Sequence, residues 1–182
     1  NVVDSAGRPL PCRIHLSDER GKPQLPKHLP TWRNHFSCSG TAKVPLPAGT
    51  YRYGIERGPE HDRKQGSFTL TDGGSQKISA SLKRLVDMAA DGWYAGDMHV
   101  HRAPQDMELL MRSEDLHVAP VITWWNNRNQ WVDQELPEQL LTHFDGCRYC
   151  RVMAGEDERE GGALLFFNLD RPLEITGSQR EY

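Results

Sequence analysis

His99 and His101 are separated by one residue. In an extended strand alternate side chains share a face, so both imidazoles can reach a single cation. Asp97 has the same parity and adds a carboxylate. Two kinds of chemistry are open to such a set, metal ligation through neutral imidazole nitrogens or a hydrogen-bonded structural pair, and spacing alone does not choose between them. Arg102 directly follows and is the candidate catalytic residue, able to hold an anionic substrate oxygen. A second acidic stretch, Glu156-Asp157-Glu158-Arg159-Glu160, follows Gly155 and reads either as a solvated hairpin turn or as the source of one carboxylate ligand. Glu114, Asp115 and His117 are assigned to capping and surface solvation, and His143 to a favourable charge at a helix C-terminus.

The elements that must position these groups follow from periodicity. Residues 93–101 are strand-like, residues 104–116 begin with a proline and carry Met107, Leu110 and Met111 at helical spacing, and residues 118–125 return to β-type residues. That order makes a βαβ unit with parallel strands, and it puts the histidines at a strand end, where the active sites of α/β modules gather. A helix over residues 137–144, a strand over 148–154, an acidic turn and an apolar run over 163–167 are expected next. Ahead of this module, residues 12–16, 42–46, 50–55, 66–70 and 78–82 read as short alternating strands with Pro, Gly and Asp in the spacers. A small antiparallel β-sandwich is expected there, with residues 21–36 as one long, mobile insertion. Trp32, His35 and Phe36 on that insertion either cover a core edge or offer a stacking platform.

The 182 residues are 37% hydrophobic and 26% charged, enough to bury a core and small for two complete domains. A net charge of −3 conceals an asymmetry: residues 1–84 hold 14 Lys and Arg against 7 Asp and Glu, whereas residues 85–182 hold 8 against 18. Two modules are therefore expected, 1–84 and 85–182, the acidic one being the better host for a cation. The basic charges are scattered among Pro and Gly, which argues against nucleic acid as a partner. No apolar run approaches the ~20 residues that cross a bilayer, so no transmembrane segment is expected. The chain opens inside a strand-like stretch with no signal pattern, as if an upstream leader were missing. Cys147-Arg148-Tyr149-Cys150 is a lone CxxC and reads as structural, while Cys12 and Cys38 can pair if the protein is exported, a weak vote for a secreted or periplasmic location.

Residues 3–14, Val-Asp-Ser-Ala-Gly-Arg-Pro-Leu-Pro-Cys-Arg-Ile, together with Val44-Pro45-Leu46-Pro47-Ala48-Gly49-Thr50-Tyr51, resemble carboxypeptidase-regulatory-like, transthyretin-like accessory sandwiches. Gly92-Trp93-Tyr94-Ala95-Gly96-Asp97-Met98-His99-Val100-His101 resembles the opening G-D-x-H-x-H motif of PHP metallohydrolases, most closely the CehA/McbA-like branch, in which a β-rich module often precedes the barrel. The resemblance implies a β-sandwich followed by α/β: a transthyretin/Ig-like sandwich and then an incomplete PHP-type, distorted TIM-like barrel. It also implies two or three divalent ions, usually zinc, manganese or iron, that activate water against a phosphoester or ester-like bond. His99 and His101 are then metal ligands, with Glu156 preferred as the acidic ligand and Asp157 the alternative. Two imidazoles and one carboxylate leave positions open for water, as hydrolytic metals require.

The resemblance breaks in two places. Trp124 and Trp125 stand where an Asp-His dipeptide is expected, and Gly162 replaces a histidine. An indole has no lone pair for a divalent metal, so the tryptophans are read as substrate-binding walls of a pocket, with Asn126 and Asn127 offering amide oxygens. Only about 98 residues follow Arg84, against the about 250 of a full barrel, so the chain is expected to carry the first third to half of one, with remaining ligands beyond Tyr182 and little activity by itself. The expected function is metal-dependent hydrolysis of a small-molecule or glycan substrate. The alternative is a noncatalytic glycan- or protein-binding cell-surface module with a degenerate metal site.

Overall fold

A computed structural model describes residues 1–126, 128–159 and 161–173, with the backbone alone at Arg159. Asn127 and Glu160, both named above, lie outside the described residues. The chain divides into two compact units, Asn1–Tyr94 with Leu109–Asp115, and Ala95–Glu108 with Leu116–Tyr182.

The first unit contains β1 (Val2–Val3), β2 (Cys12–Asp18), β3 (Thr31–Trp32), β4 (His35–Cys38), β5 (Gly49–Glu56), β6 (Lys64–Leu70) and β7 (Ala80–Ser81). Five of them form an antiparallel sheet in the order β3-β4-β2-β5-β6, and β1 pairs with β7 in parallel. Alternation supplies the inner face. Cys12 and Leu16 of β2, Phe36 and Cys38 of β4, and Tyr51 and Ile55 of β5 are buried, with Val2, Leu10 and Leu82 against them. Each such apolar side chain contributes roughly 1.5–3 kcal/mol by leaving water.

Two expectations change here. Residues 42–46 form no strand, and Pro45 and Pro47 lack the N–H groups that pairing would use. Ala42, Val44 and Leu46 still turn inward onto the Leu16–Phe36–Tyr51 cluster. The second departure is in residues 21–36, whose end folds into the β3–β4 hairpin. Phe36 is a core residue at 1% exposure, so it cannot share an outer stacking platform with the exposed Trp32.

A 3-10 turn, Pro104–Asp106, opens α1 (Met107–Glu114), whose Met107 and Met111 are buried one turn apart. The end of this helix is held by charge. Arg13 Nη1 donates to both Glu114 carboxylate oxygens at 3.1 and 3.0 Å, and Asp115 accepts from Arg57 at 2.9 Å and Arg84 at 2.7 Å. Asp115 is 4% exposed, which replaces the surface role read from sequence. Gly58 makes the approach possible: at its φ of +50° an added Cβ would lie 2.5 Å from the Glu114 carbonyl oxygen.

The second unit contains β8 (Val118–Trp125), β9 (Arg128–Asn129), β10 (Leu141–Phe144), β11 (Arg148–Arg159) and β12 (Gly162–Phe166). β8 and β11 are parallel, and residues 95–101 run parallel to β8 through bridges at Gly96–Val118 and Val100–Val121. This is the start of a barrel-like sheet, but the expectation of an incomplete PHP-type, distorted TIM-like barrel is overturned. Among the described residues there is one α-helix, and strand dominates. Residues 137–144 end as β10, which forms a hairpin with β11 across Asp145, Gly146 and Cys147, the first two at positive φ. The acidic stretch continues β11 instead of turning, and the reversal comes at Gly161. On β11, Tyr149 lies between Val118 of β8 and His143 of β10, and Gly155 between Trp124 of β8 and Phe166 of β12. β10 and β12 therefore occupy, end to end, the edge on which a barrel would add its next parallel strand. No helix among the described residues is long and apolar enough to cross a membrane.

The charge cluster yields a stability prediction. Asp115→Asn keeps the shape and the left-handed backbone but leaves Arg57, 8% exposed at its side chain, without its counter-charge. Urea unfolding is expected to show a loss of about 3 kcal/mol. Asp4→Asn, at the exposed Arg8–Asp4 pair, is expected to leave the urea midpoint almost unchanged, because solvent screens that pair.

Candidate metal centre

Residues 93–101 do not form the regular strand expected but meet β8 through two isolated bridges: Asp97 N donates to Val118 O at 3.0 Å and Ile122 N donates to Val100 O at 2.8 Å. A regular strand is interrupted by Asp97, whose Oδ1 accepts from His99 N at 3.0 Å and bends the chain at Met98. Both imidazoles nevertheless emerge on one side. Their Nε2 atoms are 3.1 Å apart, and Glu156 Oε2 on β11 lies 3.1 Å from His99 Nε2 and 2.8 Å from His101 Nε2.

These separations allow a test of fit. Three ligands at bond lengths of ~2.0–2.2 Å and tetrahedral angles stand ~3.3–3.6 Å from one another. The observed 3.1, 3.1 and 2.8 Å are shorter, so a small outward movement of the side chains would admit an ion, and all the ligating atoms of the group fall within 4.8 Å. Glu156 is 2% exposed, and its Oε1 has no hydrogen-bond partner among the described residues. A buried carboxylate oxygen without a partner is costly, and a cation would satisfy it. His99 and His101 are 52% and 31% exposed at their side chains, so the group is open to water on the imidazole side and closed on the carboxylate side. His, His and Glu thus form a group able to hold a metal ion.

The other residues singled out in the sequence are placed as follows. Asp157 is buried beside Glu156 on β11, and strand alternation directs it to the opposite face, outside the three-residue group. Arg102 is half-buried just past His101. Trp125 is half-buried with its ring edge-on to His101 at 4.8 Å, and Arg128 lies 5.3 Å over the same indole. Trp124 is 5% exposed, packed on Phe166 at 5.9 Å, and is a core residue. Asn126 is committed to β11: its Nδ2 donates to Glu158 Oε2 at 2.8 Å, its Oδ1 accepts from Glu158 N at 2.9 Å, and its N donates to Glu156 O at 3.1 Å. It therefore holds the ligand strand in register with β8. Glu158 and Arg128 were missed by sequence reasoning, since an acid in a charged run and an arginine after an asparagine pair carry no distinctive spacing.

His143 stacks on Tyr149 at 4.5 Å and stands on β10, not at a helix end. Burial pushes the Cys150 thiol up to about 11, in keeping with a structural role.

Comparison with protein-family models, curated proteins and solved structures finds no match to this chain. The site geometry and the motif around His99 therefore carry the functional reading.

The packing beside Glu156 leads to a second prediction. A Cβ on Gly155 would fall 2.0 Å from Trp124 Cε3, so the absence of a side chain there is what admits the indole. Gly155→Ala is expected to lower unfolding free energy by about 2 kcal/mol, and Trp124→Leu in the same chain to recover part of the loss. Purely additive losses in denaturant titrations would show that the two side chains do not compete for that space.

Proposed function

We propose that this chain binds a divalent metal through His99, His101 and Glu156, and that the centre serves hydrolysis of a phosphoester or ester-like bond. The observation that carries the reading is the convergence of three ligating atoms of the right type on one point, with a buried carboxylate behind two solvent-facing imidazoles. The likeness of residues 92–101 to the opening motif of PHP metallohydrolases supports the same chemistry.

Each residue has a defined task. The imidazoles offer neutral Nε2 lone pairs, Glu156 contributes charge, and Asp97 holds the His99 backbone through its N–H. A divalent ion held there supplies Lewis acidity and lowers the pKa of a bound water toward ~7. Trp125 walls the approach beside His101, and Arg102, which follows His101, is the residue proposed to meet a substrate oxygen. The nitrogen-and-oxygen donor set suits zinc, manganese and iron(II). A secreted or periplasmic location and a small-molecule or glycan substrate belong to the same proposal.

Titration calorimetry with Zn²⁺ and with Mn²⁺ is expected to show one ion per chain at this site. His99→Ala with His101→Ala should weaken binding at least 100-fold, and Glu156→Gln, which preserves volume, at least 10-fold. Unchanged stoichiometry and affinity in a folded double variant would reject the metal assignment. If metal binds, a screen of phosphodiester and carboxylic ester substrates is expected to show only slow turnover by this chain alone, removed by chelation. A metal-loaded protein inert toward both would favour the binding-module alternative.

A further inference from the structure

Cys12 on β2 and Cys38 on β4 are direct cross-strand partners, and their sulfurs lie 3.8 Å apart. Both are fully buried, among Val2, Leu10, Ile55 and Leu82. Direct antiparallel partners have Cα separations of ~4.5 or ~5.5 Å, inside the ~4.4–6.8 Å range that disulfides span. Closing the gap to the ~2.05 Å of a bond therefore takes side-chain rotation and no change of register.

Among the described residues no group of metal ligands includes these thiols. The nearest imidazoles on the same strands, His15 and His35, are themselves cross-strand partners three residues along, so alternation turns them to the other face. There His15 meets Glu56 at 2.8 Å instead.

We propose that Cys12 and Cys38 form a cross-strand disulfide that staples the first unit when the chain meets an oxidising thiol–disulfide couple. The bond closes a loop of residues 12–38, the segment that includes the β3–β4 hairpin. The hydrogen bond from the Cys12 thiol holds the Cys38 thiol below its ordinary range, while the same contact, with burial, pushes the Cys12 thiol up. When local opening admits an external disulfide RSSR to this buried pair, either thiolate, for instance that of Cys38, displaces one half of it, and the released RS⁻ takes up the proton that this thiol lost. The Cys12 sulfur then attacks the Cys38 sulfur of the mixed disulfide and expels the second RS⁻, which takes the Cys12 proton. Two protein thiols are oxidised by two electrons, and one RSSR becomes two RSH. This inference is independent of the metal centre.

The test uses the full chain, incubated with glutathione disulfide or with reduced glutathione, alkylated in denaturant and peptide-mapped by mass. After oxidation, the peptides holding Cys12 and Cys38 are expected to be joined, with Cys147 and Cys150 alkylated. Alkylation of both Cys12 and Cys38, or their linkage to Cys147 or Cys150, would overturn the proposal. The oxidised protein is expected to melt roughly 10 °C above the reduced one, a difference that the Cys12→Ala, Cys38→Ala double variant should lack. Should that variant fail to fold, the wild-type peptide map decides.

Discussion

A carboxylate sealed inside a sheet is the constraint on which the second unit depends. Glu156 sits on β11 between β8 and β12, paired to Trp125 on one side and Leu165 on the other. It cannot reach solvent without breaking two ladders, and a one-residue slip would send every side chain of β11 to the wrong face. Its charge must therefore be met in place, at a desolvation cost of several kcal/mol otherwise. The bend at Asp97, the exit of both imidazoles on one side of residues 95–101, and the Asn126 clasp that keeps β8 and β11 in step all act to meet it.

The first unit solves a related problem by a different route. Its apolar layer is continuous, and the polar groups gather where the last residues of α1 arrive. Arg13, Arg57 and Arg84 there face Glu56, Glu60, Glu114 and Asp115. Burial raises the Glu114 carboxyl above its ordinary range in spite of the Arg13 guanidinium, although the two side chains keep 26% and 28% of their surface exposed. Apolar burial supplies most of the cohesion of this unit, and the charge cluster fixes which segment closes it.

How much of this could be read from residues alone depends on whether the signal is local. His99 and His101 were legible as a pair because a period of two needs only adjacent positions, whereas Glu156, 55 residues beyond His101, came only from the resemblance, with Asp157 as its alternative. The choice of Glu156 over Asp157 was not settled by spacing, since it depends on which face of β11 looks toward residues 95–101. The acidic stretch looked like a turn because four acids in five residues seldom enter a strand, yet the imidazoles and Asn126 compensate for two of them. The hairpin at β10 was announced by Asp145-Gly146 and overlooked in favour of a helical reading of residues 137–144. Pro45 similarly argued against a paired strand over 42–46. The failure of the barrel expectation has the same root, because antiparallel strands at β10 and β12 are formed by local turns that no fold-level analogy contains.

The unequal exposure of the three ligands sets a direction for exchange. An ion leaving the centre would part first from His99, whose ring stands half in water, and last from Glu156, which no competing molecule can touch until the imidazoles have moved. A chelator would thus attack from one side only, and the rate of stripping would follow the freedom of the His99 side chain more than the strength of the carboxylate contact.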